Sequence, residues 1–209
     1  MRIEIRSDHV LLDGYVNVTQ RESRELSSPR GPFVEQIMSR TFEKALMANP
    51  NVDLLFNHNE SRKLGSTVTG ELELREDNIG LRAIAKVTDT EIIAKARNNE
   101  LLGWSFGFQS LKDSWENREN AVPKRTIEEM YLGEVSILDR VPAYIATSIE
   151  SRSGDKSIVA ETRGMEFSAK FEDNSEPKTE PKQEEKREAP DFSSFEKEIE
   201  FLKLKGVSA

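Results

Sequence analysis

Runs of alternating apolar and polar residues recur along the first 150 residues, and they constrain the fold more than any other feature. Successive side chains of a β-strand point to opposite faces, so a period of two predicts strands with one buried face. These runs are too numerous for a helical bundle. They predict a mainly β domain of the α+β class, with a largely antiparallel, barrel-like sheet and helices packed outside it. The clearest runs are residues 10–18, 68–74, 81–87, 102–109 and 127–138.

Two segments instead show the spacing of amphipathic helices. The first covers residues 31–49 and is bounded at both ends by a proline-containing break. The second covers residues 88–96, where Thr88 or Asp89 can serve as the N-cap. Between the two helices, the short apolar run at residues 52–56 predicts a buried strand.

The C-terminal part of the chain has a different composition. In residues 172–191 the only apolar side chain, apart from prolines, is Ala189. Such a segment buries too little surface to offset the entropy of ordering it. We therefore predict a folded domain over residues 1–150, a disordered acidic linker over 151–191 and a short amphipathic helix over 192–206. This helix is expected to dock on the domain, on a second copy or on another protein, with a frayed helix as the alternative.

Composition narrows the possible classes of function. A net charge of -8 and a pI near 5.1 oppose binding to a phosphate backbone, so no nucleic-acid partner is expected. No apolar run is long enough to span a bilayer or to form a signal-peptide core, so neither a membrane nor secretion is expected. The chain has no cysteine, and its two histidines, His9 and His58, are too few for a His-rich metal site. We expect no metal and no cofactor.

Ser105 lies in a strand with two very different faces. One face of residues 102–109 is bulky and apolar, whereas the other consists of Gly103, Ser105 and Gly107. Glycine weakens a strand, so two glycines around a hydroxyl indicate that another chain or a catalytic side chain comes close. A tight bend in the sheet is the alternative explanation. Ser105 is therefore a candidate nucleophile.

Two further residues could assist this hydroxyl. His58 follows a buried strand, where an imidazole can be oriented by its neighbours, although a plain turn residue is the alternative. Glu134 lies in a strand that is apolar on both faces, where a carboxylate needs a partner such as an imidazole N–H. The alternative for Glu134 is an edge position that faces water. His9, beside Asp8, is predicted to be structural.

Six short motifs follow one another in the region between residues 14 and 144. They are Leu55-Phe56-Asn57-His58-Asn59, Leu64-Gly65-Ser66-Thr67, Leu72-Glu73-Leu74-Arg75-Glu76-Asp77 with Gly80-Leu81, Trp104-Ser105-Phe106-Gly107-Phe108, Leu132-Gly133-Glu134-Val135-Ser136 and Pro142-Ala143-Tyr144. Together they resemble the prohead maturation proteases of tailed bacteriophages, a family related in fold to the herpesvirus assembly proteases.

The resemblance implies a closed β-barrel of the herpesvirus-protease type and a serine endopeptidase activity. It implies that His58 is the base and Ser105 the nucleophile, with Glu134 at the position of the third triad member. The enzyme would act as a homodimer in the host cytoplasm, inside the assembling procapsid. Its substrate would be the major capsid protein or a scaffold protein, and the enzyme itself. The tail would then be a propeptide or a docking arm, and oxyanion donors are expected near Gly107 or Arg140.

Two other classes of function are compatible with the residues themselves. A non-catalytic capsid assembly or scaffolding protein would use the domain and the tail helix only as binding surfaces. A carboxylate metal hydrolase would use Asp53, His58 and other acids, but the chain lacks ligand spacing of the Glu-x-x-His type.

Overall fold

The computed structural model describes residues 1–139, 148–152, 157–166 and 170–174, all of them within one compact unit, Met1–Pro177. Neither of the helices in this part of the chain is long and apolar enough to cross a membrane. The described elements are, in chain order, β1 (Arg2–Ile5), β2 (Val10–Val18), β3 (Val34–Ile37), α1 (Thr41–Ala48), β4 (Asp53–Phe56), β5 (Asn59–Ser66), β6 (Leu72–Glu76), β7 (Gly80–Val87), α2 (Thr90–Arg97), β8 (Gly103–Glu116), β9 (Lys124–Leu138), β10 (Ser148–Arg152), β11 (Ser157–Glu166) and β12 (Lys170–Asp173).

Five strands form the first sheet, in the order β12-β1-β2-β7-β6. β12 pairs in parallel with β1, and the other neighbours are antiparallel. The predicted hairpin of β6 and β7 is confirmed. Its turn is closed by Asp77, whose Oδ1 accepts the amide hydrogens of Ile79 and Gly80 at 2.8 and 3.2 Å. An aspartate at this turn position bonds to the backbone of the residues that follow it.

Seven strands form the second sheet, in the order β10-β11-β8-β9-β4-β5, with β3 also paired to β9. The long strands β8 and β9 are its antiparallel centre. β9 pairs in parallel with β3 through residues 124–127 and with β4 through residues 134–137. As a result, the end of β4 lies beside Glu134, and β11 lies along the other side of β8.

The expectation of a closed barrel is wrong for the strands that the structure describes. The first sheet ends at β12 and β6 and the second at β10 and β5, so each is an open sheet. Alternation indicates which face of a strand is buried. Closure depends on strand tilt and on the register between distant strands, which a period of two does not encode. The predicted predominance of strands, accompanied by two helices, is confirmed.

One hydrophobic core joins the two sheets and the two helices. Its largest buried side chains include Trp104, Phe106 and Phe108, which occupy one face of β8. Phe42 of α1 meets Phe106 edge to face, with the ring centroids 5.4 Å apart. Truncating such a buried ring costs about 3–5 kcal/mol. The bulky face of β8 is therefore fixed in the core, and this fixes the direction in which its small face points.

The first predicted helix is only partly correct. Residues 34–37 form strand β3, and the helix begins at Thr41. Apolar residues at 34, 37 and 38 fit helical spacing, but they are too few to distinguish a helix from a short strand. Pairing with β9 stabilises the strand conformation of these residues. It places the Glu35 side chain in the interior, where the carboxylate accepts hydrogen bonds from Arg125 and Arg163.

The second predicted helix is confirmed, and its N-cap is Asp89. The Asp89 carboxylate accepts the amide hydrogens of Glu91 and Ile92 at 3.0 and 3.1 Å. These bonds satisfy two of the amide groups that have no partner within the first turn of a helix. The apolar stripe is buried as predicted, at Ile92, Ile93 and Ala96.

The folded domain extends beyond residue 150. β11 and β12 lie inside the range predicted as a linker, and both pair with strands of the domain. Strand β12 is hard to recognise from the sequence, because its only apolar residue is Phe171. The remainder of the predicted linker from residue 175 onward and the predicted helix at 192–206 lie outside the described residues. Those two assignments stay predictions.

Candidate active site

His58 lies in a two-residue turn between β4 and β5. Phe56 pairs with Asn59, and the two residues between them, Asn57 and His58, have φ angles of 54° and 58°. Two central residues with positive φ are the signature of a type I′ turn, whose twist matches that of the flanking strands. Asn and His are among the non-glycine residues that enter this region most readily. The turn therefore carries the imidazole at the very end of a buried strand.

Asn57 ties this turn to the end of β9. Its amide hydrogen is donated to the carbonyl of Ile137 at 2.9 Å. Its side-chain Nδ2 donates to Oδ1 of Asp139, also at 2.9 Å. The turn is thus anchored by both backbone and side chain, which limits the positions that the neighbouring His58 can take.

Glu134 holds the imidazole of His58. The distance between His58 Nδ1 and Glu134 Oε1 is 2.7 Å, and both side chains are partly buried. An ionised carboxylate can only accept a hydrogen bond, so Nδ1 carries a proton, and in the neutral imidazole the lone pair is then on Nε2. A carboxylate on Nδ1 fixes the tautomer and orientation that a general base needs. The structure brings together these two residues that the sequence singled out.

Ser136 connects the turn and the carboxylate. Its hydroxyl donates to Glu134 Oε2 at 2.6 Å and accepts the amide hydrogen of His58 at 3.0 Å. Sequence reasoning did not single out Ser136. The signal was present, because residues two apart on a strand lie on the same face, and Ser136 follows Glu134 by two.

Ser105 lies on the same face of the second sheet as Glu134 and Ser136. It is directly opposite Ser136 in the antiparallel pair of β8 and β9, and residues opposite each other share a face. Only 1% of Ser105 is exposed. Its hydroxyl donates to the backbone carbonyl of Arg163 in β11, at 2.7 Å. No sequence signal pointed to Arg163, because its contribution is a carbonyl of the main chain.

The structure does not join Ser105 and His58 by a hydrogen bond. A hydroxyl has a single proton, and that of Ser105 is donated to Arg163. Catalytic hydrogen bonds are often unformed in the absence of substrate. Rotation of a serine hydroxyl between staggered positions is a small rearrangement. The nucleophile is thus on the correct face, while its proton is directed away from the base.

Gly107 makes room for Glu134. The two residues are opposite each other in the β8–β9 pair. A Cβ on Gly107 would overlap Oε1 of Glu134 and lie 3.0 Å from its Cγ. We predicted that another chain or a catalytic side chain comes close to the small face of β8. The structure shows that the carboxylate of Glu134 lies against this face at Gly107. Of the two predicted sources of oxyanion donors, Gly107 lies at this site and Arg140 lies outside the described residues.

A buried cluster of charges holds β11 beside Ser105. Arg163 donates from Nε to Glu35 Oε1 at 2.8 Å and from Nη2 to Glu161 Oε2 at 2.6 Å. Arg125 donates to the same two carboxylates at 3.2 and 2.9 Å, and also bonds to Asp113. Burial alone would raise the pKa of Glu161, but the hydrogen bond from Arg125 and the charge of Arg163 outweigh it and lower that pKa.

The remaining candidate residues have other partners. Asp53 forms an ion pair with Lys63, with 2.7 Å between Oδ1 and Nζ. His9 bonds to Asp8 at 2.8 Å, just before β2 of the first sheet. Within the described part of the chain, no group of three or more His, Asp or Glu residues is arranged to hold a metal ion.

Comparison with known proteins identifies the family. The sequence profile described as caudovirus prohead serine protease matches residues 1–177 of the 209. No curated protein and no solved structure matches the chain. The match includes every strand described above, together with His58, Ser105 and Glu134. The chain belongs to the caudovirus prohead serine protease family.

Proposed function

We propose that this protein is a serine endopeptidase in which Ser105 is the nucleophile, His58 the general base and Glu134 the group that orients the base. Membership of the family supports serine-type peptidase activity and a role in capsid maturation. The observation that carries the residue assignment is the 2.7 Å contact between His58 Nδ1 and Glu134 Oε1, on the sheet face that bears Ser105.

The reaction begins with a change of partner for the Ser105 hydroxyl. The hydroxyl leaves the carbonyl of Arg163 and donates to Nε2 of His58. As Oγ attacks the peptide carbonyl, the proton moves to Nε2, and the negative charge of Glu134 stabilises the imidazolium that forms. His58 then gives this proton to the leaving amine, and an acyl-enzyme remains on Ser105.

Water completes the cycle. His58 accepts a proton from the attacking water, the ester bond to Ser105 breaks, and the proton returns to the serine oxygen. Backbone N–H groups stabilise the oxyanion in both steps, each donor contributing about 3–4 kcal/mol in enzymes of this type.

We propose that the substrate is the scaffold protein or the scaffolding segment of the major capsid protein, and that the enzyme also cleaves itself. It would work as a homodimer inside the assembling procapsid, in the host cytoplasm. The acidic tail supports a role as a docking arm, because a tether raises the effective concentration of an enzyme near its substrate.

Co-expression with its natural capsid protein tests this function. Intact masses of both proteins are measured for the wild type, Ser105→Ala and His58→Ala. We expect shortened capsid protein and a shortened protease only with the wild type. Full-length capsid protein in all three cultures would favour the non-catalytic scaffolding protein, which is the alternative from a different class. Identical trimming in all three cultures would indicate a host protease.

A further inference from the structure

We infer that Ser136 is a positioning residue of this site. Its single hydroxyl group holds the base, His58, and the carboxylate of Glu134 in position relative to each other. The inference rests on the proposed function and extends it by a fourth residue. Ser136 would not touch the substrate. It would act through His58 and Glu134, by fixing the turn that carries the first and the carboxylate plane of the second.

The directions of both hydrogen bonds follow from the chemistry of the groups. A backbone amide can only donate, so the Ser136 oxygen accepts from His58 N–H at 3.0 Å. An ionised carboxylate can only accept, so the single hydroxyl proton goes to Glu134 Oε2 at 2.6 Å. The hydroxyl is thus used as donor and as acceptor at the same time. Alanine at this position would leave both partners without these bonds.

The two carboxylate oxygens of Glu134 bind different partners. Oε1 bonds to the imidazole of His58, and Oε2 bonds to Ser136. With both oxygens held, the carboxylate cannot rotate about its last torsion, which is otherwise broad. Hydrogen bonds to an ionised group are also stronger than those between neutral groups. The Ser136 contact therefore fixes the position of the oxygen that orients the base.

The turn requires such an anchor. Asn57 and His58 both have positive φ, a conformation that costs free energy for non-glycine residues and persists where the surroundings enforce it. The His58 amide contributes to this through its bond to Ser136, whose side chain is 0% exposed in the middle of the sheet. The imidazole is thereby tied to the sheet through its backbone as well as through its ring.

The hydroxyl of Ser136 does not hold the nucleophile. The Ser105 hydroxyl bonds to the carbonyl of Arg163, on the opposite side of β8 from β9. Replacement of Ser136 is therefore expected to slow the reaction through the base, while the contact made by the Ser105 hydroxyl is kept.

The rate of Ser105 labelling by a fluorophosphonate tests the inference in the full-length protein. We expect Ser136→Ala to lower the second-order rate constant by about 10-fold or more, as for a lost hydrogen bond to a charged group. Ser136→Thr keeps a hydroxyl and should react faster than Ser136→Ala. Ser66→Ala removes another buried serine hydroxyl of the same sheet, which bonds to Thr69, and should react like the wild type.

Equal rates for the wild type and Ser136→Ala, or for Ser136→Ala and Ser136→Thr, would overturn the inference and leave the proposed function intact. If Ser136→Ala does not fold by circular dichroism, Ser136→Cys replaces it, because a thiol keeps the shape and bonds weakly. A wild-type protein that does not react at all would instead contradict the proposed function.

A second measurement does not depend on reactivity. The chain has two histidines, so the proton on Nδ1 of His58 can be assigned in a nuclear magnetic resonance spectrum by comparison with His58→Ala. We expect the slowly exchanging, downfield signal of this proton in the wild type, and its loss or broadening in Ser136→Ala. An unchanged signal in Ser136→Ala would contradict the role of Ser136 even if no labelling is observed.

Discussion

Gly107 and Glu134 face each other across the central strand pair of the second sheet, and the missing side chain of the first makes space for the carboxylate of the second. This relationship explains why a strand in the core of the protein contains a glycine two residues after Ser105. The carboxylate reaches His58 because it lies over a backbone that has no Cβ. The absence of a side chain at residue 107 therefore allows Glu134 to orient the imidazole of His58.

Gly107→Ala is expected to displace Glu134 and to impair catalysis. Its methyl group would overlap Oε1, which is the oxygen that contacts His58. We predict a fall of at least about 10-fold in the rate of fluorophosphonate labelling, equivalent to losing one hydrogen bond to a charged group. The rate is measured together with circular dichroism, to show that the protein is folded.

Gly133→Ala is the matched control for this prediction. A Cβ at Gly133 would meet Tyr131 at 3.5 Å and the carbonyl of Gly107 at 3.8 Å, both ordinary contact distances. Labelling of this variant should resemble that of the wild type. If both alanine variants react equally fast, the space at Gly107 is not needed for the carboxylate.

Asn57→Ala is expected to destabilise the protein by about 2 kcal/mol, since it combines a strained φ with the loss of a side-chain hydrogen bond. Asn57→Gly loses the same bond to Asp139 but adopts positive φ without strain. The glycine variant should therefore be the more stable of the two in urea unfolding. Equal midpoints would show that the positive φ of residue 57 has no energetic cost.

Glu35→Gln is expected to be severely destabilising. Glu35 is buried and pairs with both Arg125 and Arg163. Glutamine would remove this negative charge and place an amide donor against the two guanidinium groups, which would then rely on Glu161 and Asp113. Breaking a buried ion pair in this way costs about 3–5 kcal/mol. Glu43→Gln breaks the exposed pair with Arg40 and should cost about 0–1 kcal/mol. Similar unfolding free energies for the two variants would contradict the structural role of the cluster.

The lowered pKa of Glu161 predicts a dependence of stability on pH. A carboxyl group with a lowered pKa in the folded state stabilises the protein above its ordinary value of 4.5 and loses this contribution as the pH falls through the lowered value. Glu161→Gln should therefore unfold more readily than the wild type at pH 7, and the difference should shrink in acid. A constant difference between pH 7 and pH 3 would contradict this interpretation.

The sequence predicted the local elements better than their assembly. The alternating runs that became β7 and β9 located those strands because one face of each is buried. The closed barrel and the helix across residues 34–37 were wrong, because both depended on pairing between segments distant in sequence. Local periodicity carries no direct information about such pairing.

The residues of the candidate site also fall into two groups, those that the local sequence indicates and those that only strand pairing brings to the site. Ser105, His58 and Glu134 stood out because each residue type is unusual in its local setting, a serine between glycines, a histidine at a strand end and an acid in an apolar strand. Arg163 could not be found in this way, since its carbonyl reaches Ser105 only after β11 has paired with β8. Ser136 could have been predicted from its spacing of two residues from Glu134, but a serine in a strand is too common to attract notice.

Peptide mapping after fluorophosphonate treatment determines whether His58 activates the hydroxyl of Ser105. We expect one adduct per chain in the wild type, located on the peptide that contains Ser105. We expect no adduct in Ser105→Ala and a strongly reduced yield in His58→Ala. An adduct on a different residue, or an undiminished yield in a folded His58→Ala protein, would contradict the activation of Ser105 by His58.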